Sequence, residues 1–210
     1  MYYPGRVPID HEDTLRHLSL ATAIIIVSSG CALIPPADVP PLSGTSRQVV
    51  VLDIDGTLTP RNIEFSTPRE SAADAINAFH KKGYTVVYLT TRVPAFQSNL
   101  PDWLARNGFP DGPLHVAQTA NERGNPADYK ARVMGQYIHA GWRLAYAYGD
   151  STTDLVAYSR AGLPRDRVFA LKRKHADHCQ EGVYEMCLES WAQHMSFIEN
   201  EVPETVPGET

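Results

Sequence analysis

Val49-Val50-Val51-Leu52-Asp53-Ile54-Asp55-Gly56-Thr57-Leu58-Thr59 decides how the rest of the chain is read. A short, mostly β-branched run ends in two carboxylates separated by one residue and then meets a glycine turn. On a strand, side chains at i and i+2 share a side, so Asp53 and Asp55 are expected to face the carboxyl edge of a sheet together. Open α/β sheets bind ligands at that edge. Two like charges this close require a cation between them or a proton on one of them.

Working outward, Thr67-Pro68-Arg69-Glu70 reads as a helix start with a Thr cap and an early proline. Ala72, Ala75, Ile76 and Phe79 then recur at helical spacing until Lys82-Gly83. Beyond it the pattern alternates: strand 84–89, helix 95–107, strand 114–117, helix 128–140, strand 143–148, helix 152–161, strand 168–171. A last helix over 183–198 carries Tyr184, Leu188, Trp191 and Met195 as a core-facing stripe. This alternation predicts an α/β fold, a parallel sheet with helices on both faces and right-handed crossovers.

In a parallel sheet all strand ends share one edge, so residues far apart in sequence converge there. Asp53 and Asp55 end the first strand; Thr90, with Thr91 and Arg92, ends the second; Lys130 precedes the fourth; Gly149-Asp150-Ser151-Thr152-Thr153-Asp154 follows the fourth. These groups suit phosphoryl transfer. A carboxylate attacks phosphorus only when negative charge on both partners is neutralised, and Asp53 with Asp150, joined by Asp55 and Asp154 in the same shell, supplies oxygen ligands for Mg²⁺. Asp53 would become an aspartyl-phosphate, and Asp55 would protonate the leaving alkoxide and then deprotonate water. Thr90, Thr91 and Lys130 would hold the phosphoryl oxygens, and Asp154 would orient the metal shell or Lys130.

The ordered set D-I-D-G-T-L-T, Thr90, Lys130 and G-D-x-x-x-D resembles the four motifs of haloacid dehalogenase-type (HAD) phosphohydrolases over roughly 48–171. Gly83 to Arg92, Trp103-Leu104, Gly108 to Pro113, Val156-Ala157-Tyr158 and Arg167-Val168-Phe169 look like the lipin-type domain. That domain occurs in phosphatidate phosphatases and at the C-terminus of membrane-associated phosphatidylinositol transfer proteins. The resemblance implies a HAD-like Rossmannoid fold and Mg²⁺. It also implies that the transfer-protein version lacks the first acid of the fourth motif and senses phosphatidic acid without hydrolysing it. Here Asp150 and Asp154 are both present, which favours an enzyme. The gaps between motifs leave no room for a large cap domain, although Pro60 to Phe65 could form a small flap. An open site admits a large or membrane-bound phosphomonoester as well as a small one.

The chain has 210 residues, 43% hydrophobic and 20% charged, enough for one globular domain with extensions. A net charge of -5 and the lack of a basic run with interleaved aromatics argue against a nucleic-acid polymer as partner. Lys172-Arg173-Lys174-His175 is the one basic knot, read as a solvated face or as a contact for an anionic substrate or headgroup. Arg61, Arg92 and Lys172 are candidates for substrate contact. Residues 1–31 read as a signal peptide with a lipobox-like end at Val27-Ser28-Ser29-Gly30-Cys31, Cys31 being the lipidation site. The alternatives are a non-lipidated export signal or short anchor, and a cytosolic core helix. Cys179 and Cys187 then form an even pair, bridged or present as two buried thiols. Residues 32–47 read as a proline-rich tether, 48–199 as the phosphatase domain and 200–210 as a disordered tail. The expectation is an exported lipoprotein, held to a membrane by its N-terminus and facing the periplasm or cell exterior, or a soluble periplasmic protein. It would hydrolyse phosphatidic acid or a related lipid phosphate. The rivals are a broad acid phosphatase or nucleotidase and a non-catalytic phosphatidic-acid sensor; oligomeric state is left open.

Overall fold

In the computed structural model, which describes residues 1–2, 34–42, 46–61, 64 and 66–205, the apolar run Gln48–Leu52 becomes β1 at the centre of a six-stranded sheet. The chain divides into two units, Met1–Gly30 and Cys31–Thr210, and the sheet lies in the second. Residues 3–31 of the expected leader, with the lipidation reading of Cys31, and residues 62, 63 and 65 of the expected flap lie outside the described residues. Among the described residues no helix is long and apolar enough to cross a membrane.

β1 pairs with β2 (Thr85–Thr90) on one side and with β4 (Arg143–Gly149) on the other. With β3 (Leu114–Val116), β5 (Val168–Leu171) and β6 (Met186–Leu188), the order is β3-β2-β1-β4-β5-β6, parallel throughout. The chain leaves β1 toward β2 and β3 and later returns to its other flank. β1 and β4 therefore border the switch point, where crossovers diverge and leave a crevice at the carboxyl edge.

Successive β1 side chains enter opposite faces, as the two-residue period demands. Val50, Leu52 and Ile54 join a core with Ile76 and Phe79 of α1 (Ala72–Lys81), Trp103 of α2 (Leu100–Arg106), and Trp191 and Ile198 of α6 (Trp191–Asn200). Val49 and Val51 join a second core with Tyr129, Val133 and Tyr137 of α4 (Pro126–His139) and Leu155 and Tyr158 of α5 (Thr152–Arg160). A short α3 (Ala120–Gly124) precedes α4 behind a Thr119–Glu122 capping box. Burial of each large aliphatic side chain contributes roughly 1.5–3 kcal/mol, so β1, apolar on both faces, is anchored from both layers.

Several boundaries differ from the sequence expectation, for physical reasons. Helix α1 starts at Ala72 rather than near Thr67, because the Arg69 N–H donates to Leu58 O at 2.7 Å and ties this segment to the loop after β1. Pro101 sits in the first turn of α2 and resets the helix start to Leu100, leaving Pro94–Phe96 as a separate 3₁₀ turn. The expected helix over 183–198 is a strand followed by a helix. Met186–Leu188 pairs with Phe169–Leu171, and Leu188 on β6 and Trp191 on α6 are both buried, which imitates a helical stripe.

Both ends of the domain are also more closely packed than expected. In the stretch read as a tether, Ile34 O accepts from Gln118 Nε2 at 3.0 Å and Pro40 O from the Trp142 indole at 3.0 Å. In the stretch read as a tail, Val202 is buried and Lys82 Nζ donates to its carbonyl at 2.6 Å. The Thr205 N–H also returns to Lys82 O at 2.8 Å. Backbone carbonyls that the side-chain pattern does not reveal tie Ile34, Pro40 and Val202, among the described residues of these segments, to the fold.

Candidate active site

The β1 strand stops at Leu52, and the next residues form a tight loop rather than more strand. Asp53 N–H still donates to Tyr148 O of β4 at 3.0 Å. The N–H groups of Thr57, Leu58 and Thr59 then converge on Ile54 O, which is possible because Gly56 takes φ 90, a left-handed conformation that glycine adopts without a Cβ penalty. The loop is fastened from outside. Trp191 Nε1 donates to Thr57 O at 3.0 Å, and the Arg69 guanidinium donates to Gly56 O at 2.7 Å and to Thr59 O at 3.2 Å.

Within this frame the two aspartates part company. Strand alternation no longer governs them once β1 has ended, so the expected shared facing does not hold. Asp53 is buried, and its Oδ2 accepts from the Thr57 hydroxyl at 2.9 Å. Its Oδ1 accepts from Lys130 Nζ at 2.5 Å, and the same ammonium donates to Asp154 Oδ1 at 2.6 Å. Asp55 turns toward the end of β2: Oδ1 accepts from Arg92 Nη2 at 2.5 Å and Nε at 2.9 Å, and Oδ2 from the Thr90 hydroxyl at 2.8 Å.

Asp53, Asp150 and Asp154, all buried, form a group whose ligand atoms lie within 4.8 Å of one another. Asp55, expected in the same metal shell, is not among them. Asp154 owes its place to a capping box at the start of α5: the Asp154 N–H donates to Ser151 Oγ, and Asp154 Oδ2 accepts from the Ser151 N–H at 3.1 Å. Gly149 lets it approach, since a Cβ there would lie 2.6 Å from Asp154 Cβ. Asp150 Oδ2 accepts from Arg173 Nε.

Burial pushes the Asp53 carboxyl well above its usual range, and the charge of Asp154 adds to this while Lys130 partly offsets it. Asp150 is raised to about 6, again first by burial and then by Asp154. For Lys130 burial acts against the charge, but Asp154 and Asp53 outweigh it and hold the ammonium above the ordinary lysine range. With all three ionised, the buried carboxylates facing Lys130 and Arg173 carry surplus negative charge away from water, the state that burial resists. All-oxygen donors in that state fit a hard divalent cation.

The remaining expected residues are dispersed around this centre. Thr90 bonds Asp55, with Thr91 half-buried beside it. Arg92, expected to touch substrate, is buried and pairs with Asp55. Arg61 pairs with Glu64 at 2.6 Å and Lys172 with Glu189 at 2.5 Å, so neither joins the carboxylate group. Cys179 and Cys187 are bridged, with Cα atoms 5.7 Å apart, tying β6 to the loop that leaves β5. Two site residues, Thr57 and Ser151, had no role in the sequence expectation, and Arg173, expected with its basic neighbours on a solvated face or against an anionic group, pairs with Asp150. Ser151-x-x-Asp154 is a legible capping signature; Arg173 stands 23 positions from Asp150, and nothing local announces the pairing.

Comparison with known proteins agrees with this architecture. The family model for the LNS2 domain of PITM 1-3 matches residues 50–172. Membrane-associated phosphatidylinositol transfer protein 3 of Homo sapiens is 28% identical over 159 residues, covering 72% of this chain and 16% of the relative; the Mus musculus protein matches to the same extent. The chain thus spans about a sixth of the length of these relatives. Among solved structures, the Pnkp1/Rnl/Hen1 RNA repair complex contains a chain with a similar fold: TM-score 0.51, 17% identity, 66% of this chain and 46% of that one. A Mesorhizobium loti structure described as a HAD-like phosphatase gives TM-score 0.45 and 19% identity over 81% of this chain and 90% of that one.

The expectation of an exported lipoprotein or soluble periplasmic protein is overturned by these matches. The curated relatives are membrane-associated phosphatidylinositol transfer proteins of human and mouse, not lipoproteins of a periplasm or cell exterior. With the parallel sheet, the D-I-D-G-T loop and the family match over residues 50–172, the chain belongs to the LNS2 family, a lipin-type domain of the HAD superfamily.

Proposed function

We propose that the chain is a Mg²⁺-dependent phosphomonoester hydrolase that works through Asp53 and takes phosphatidic acid or a related lipid phosphate. The observation that carries this reading is the difference in surroundings between the two loop aspartates. Asp53 lies in the buried carboxylate group beside Lys130, while Asp55 is held apart by Arg92 and Thr90. A nucleophile and a proton-transfer group need such separate surroundings.

Asp53, Asp150 and Asp154 would hold the cation, which supplies positive charge against the phosphoryl oxygens when bound. An Asp53 carboxylate oxygen attacks phosphorus, the ester P–O bond breaks, and Asp55 gives its proton to the departing alkoxide. Asp55 then takes a proton from water as the water oxygen attacks the aspartyl-phosphate, releasing inorganic phosphate and restoring Asp53. Lys130 holds Asp53 and Asp154 in register and presents its charge where phosphoryl oxygens accumulate charge. The lipid preference draws support from the relatives, which are named for membrane association and phosphatidylinositol transfer.

The test is phosphate release by the purified chain from phosphatidic acid vesicles, a nucleoside monophosphate and an aryl phosphate, with and without Mg²⁺, beside Asp53→Asn. Release from vesicles that needs both Mg²⁺ and Asp53 is expected. Release from the soluble esters alone would remove the lipid preference. No release from any substrate, with vesicle binding retained, would replace hydrolysis by phosphatidic-acid sensing.

A further inference from the structure

A cleft of 540 Å³ lies where the loop after β1, the segment before α1 and the turn after β5 meet. Its walls carry four cations, Arg69, Lys172, Arg173 and Lys174, together with His175, against two carboxylates, Glu70 and Glu189. The wall is a shaped piece of backbone. The Lys172 N–H donates to Leu188 O at 2.9 Å, the Lys174 N–H donates to Pro60 O at 3.3 Å, and His175 adopts φ 68, a left-handed conformation uncommon outside glycine.

Arg69 is the most informative wall residue. Its guanidinium donates to Gly56 O, Thr59 O and Lys172 O, the last at 2.6 Å, so its hydrogen-bond acceptors among the described residues are backbone carbonyls rather than carboxylates. Burial holds it below the ordinary arginine range, a sign that its charge is desolvated, while the charge of Asp150 acts in the opposite sense. Arg173 faces two ways, lining the cleft and bonding Asp150. Lys172 is engaged by Glu189 at 2.5 Å, and Lys174 stands 3.7 Å from Glu64. The cations of the lining still outnumber its acids, and guanidinium beside ammonium groups suits a tetrahedral oxyanion with several acceptor atoms.

We infer that this cleft is a second anion subsite, which takes a phosphate group separate from the phosphomonoester handled at Asp53. Its size suits a phosphate carried on a larger body. The phosphate belongs either to a membrane lipid headgroup or to a soluble phosphorylated molecule. Occupancy of the cleft does not require turnover at Asp53, so the phosphatase reading and this one fail separately.

The test follows the His175 ring resonances by NMR, assigned with His175→Gln, as inorganic phosphate is added to the full chain. Saturable shifts are expected in the wild type and equally in Asp53→Asn. Lys172→Gln combined with Lys174→Gln, at positions that leave the Arg69 bonds in place, should weaken apparent affinity roughly tenfold or more, the scale of one lost charge-assisted hydrogen bond. Thermal unfolding of that double variant serves as the check that it is folded. Shifts that do not saturate, or an affinity unchanged in the folded double variant, would overturn the subsite. A second arm measures sedimentation with phosphatidylcholine vesicles containing phosphatidic acid. Vesicle binding that falls in the double variant and is competed by inorganic phosphate assigns the group to a lipid headgroup. Vesicle binding indifferent to the double variant, with the phosphate response lost, assigns it to a soluble ligand.

Discussion

Replacing Lys130 by methionine isolates the charge that holds the carboxylate group together. Methionine keeps the length and much of the volume of the lysine stem, so the packing change is small. What disappears is an ammonium placed 2.5 Å from Asp53 Oδ1 and 2.6 Å from Asp154 Oδ1, in a side chain only 3% exposed. Removing one partner of a buried ion pair leaves an uncompensated buried charge and costs about 3–5 kcal/mol. For a chain of this size that corresponds to a fall in Tm of about 6–20 °C. The assay is thermal and denaturant unfolding followed by circular dichroism near neutral pH in metal-free buffer, with Lys174→Met as an exposed control expected to stay within about 0.5 kcal/mol of wild type. The deficit should shrink as the buffer is acidified, because Asp53, already disposed by burial to keep its proton, is neutralised more readily without the lysine. Saturating Mg²⁺ should also restore part of the loss, about 2.7 kcal/mol at a hundredfold excess over Kd if binding is confined to the folded state. A Lys130→Met protein within about 1 kcal/mol of wild type at neutral pH would refute the argument, since no buried pair of this kind could then be present.

Two further outcomes follow from the same geometry. Asp150 is raised from 3.8 to about 6, so the folded protein keeps this proton to higher pH than the unfolded chain does. The resulting stability is complete below about pH 4 and is lost as pH rises through about 6, a decline of about 3 kcal/mol. Asp150→Asn should flatten that slope in metal-free unfolding measurements, and equal slopes in the two proteins would contradict the assignment. In Gly149→Ala the new methyl would sit 2.6 Å from Asp154 Cβ and 3.0 Å from its Oδ2, forcing that carboxylate away from Lys130 and the α5 cap. A loss of about 1–3 kcal/mol and a weaker Mg²⁺-induced rise in Tm are expected, and an undiminished Mg²⁺ response would show that Asp154 need not stand where it does.

Residues 49–55 illustrate how far local pattern reaches. The apolar run could be read as a doubly buried strand because every position had to avoid water, and the structure buries Val49 to Leu52 between two helical layers. The period-two rule failed two residues later, where the strand had already ended and Asp55 was drawn to Arg92 and Thr90. Sequence periodicity also misled at 183–198, where Leu188 and Trp191 have helical spacing but belong to a strand and a helix. There the deciding factors were non-local: pairing with β5 and the bridge to Cys179.

The order of the motifs along the chain was enough to determine a parallel α/β sheet and to bring Asp53, Lys130, Asp150 and Asp154 to one edge. Strand alternation and crossover geometry admit few other arrangements. Only the tertiary structure decided the partners of each charge. Asp53 shares Lys130 with Asp154, Asp150 meets Arg173, Asp55 meets Arg92, and Arg69 spends its donors on three backbone carbonyls. The reason is that apolar burial follows from side-chain type and spacing, whereas an ion pair depends on distances of a few ångströms between groups that the chain joins only through its fold.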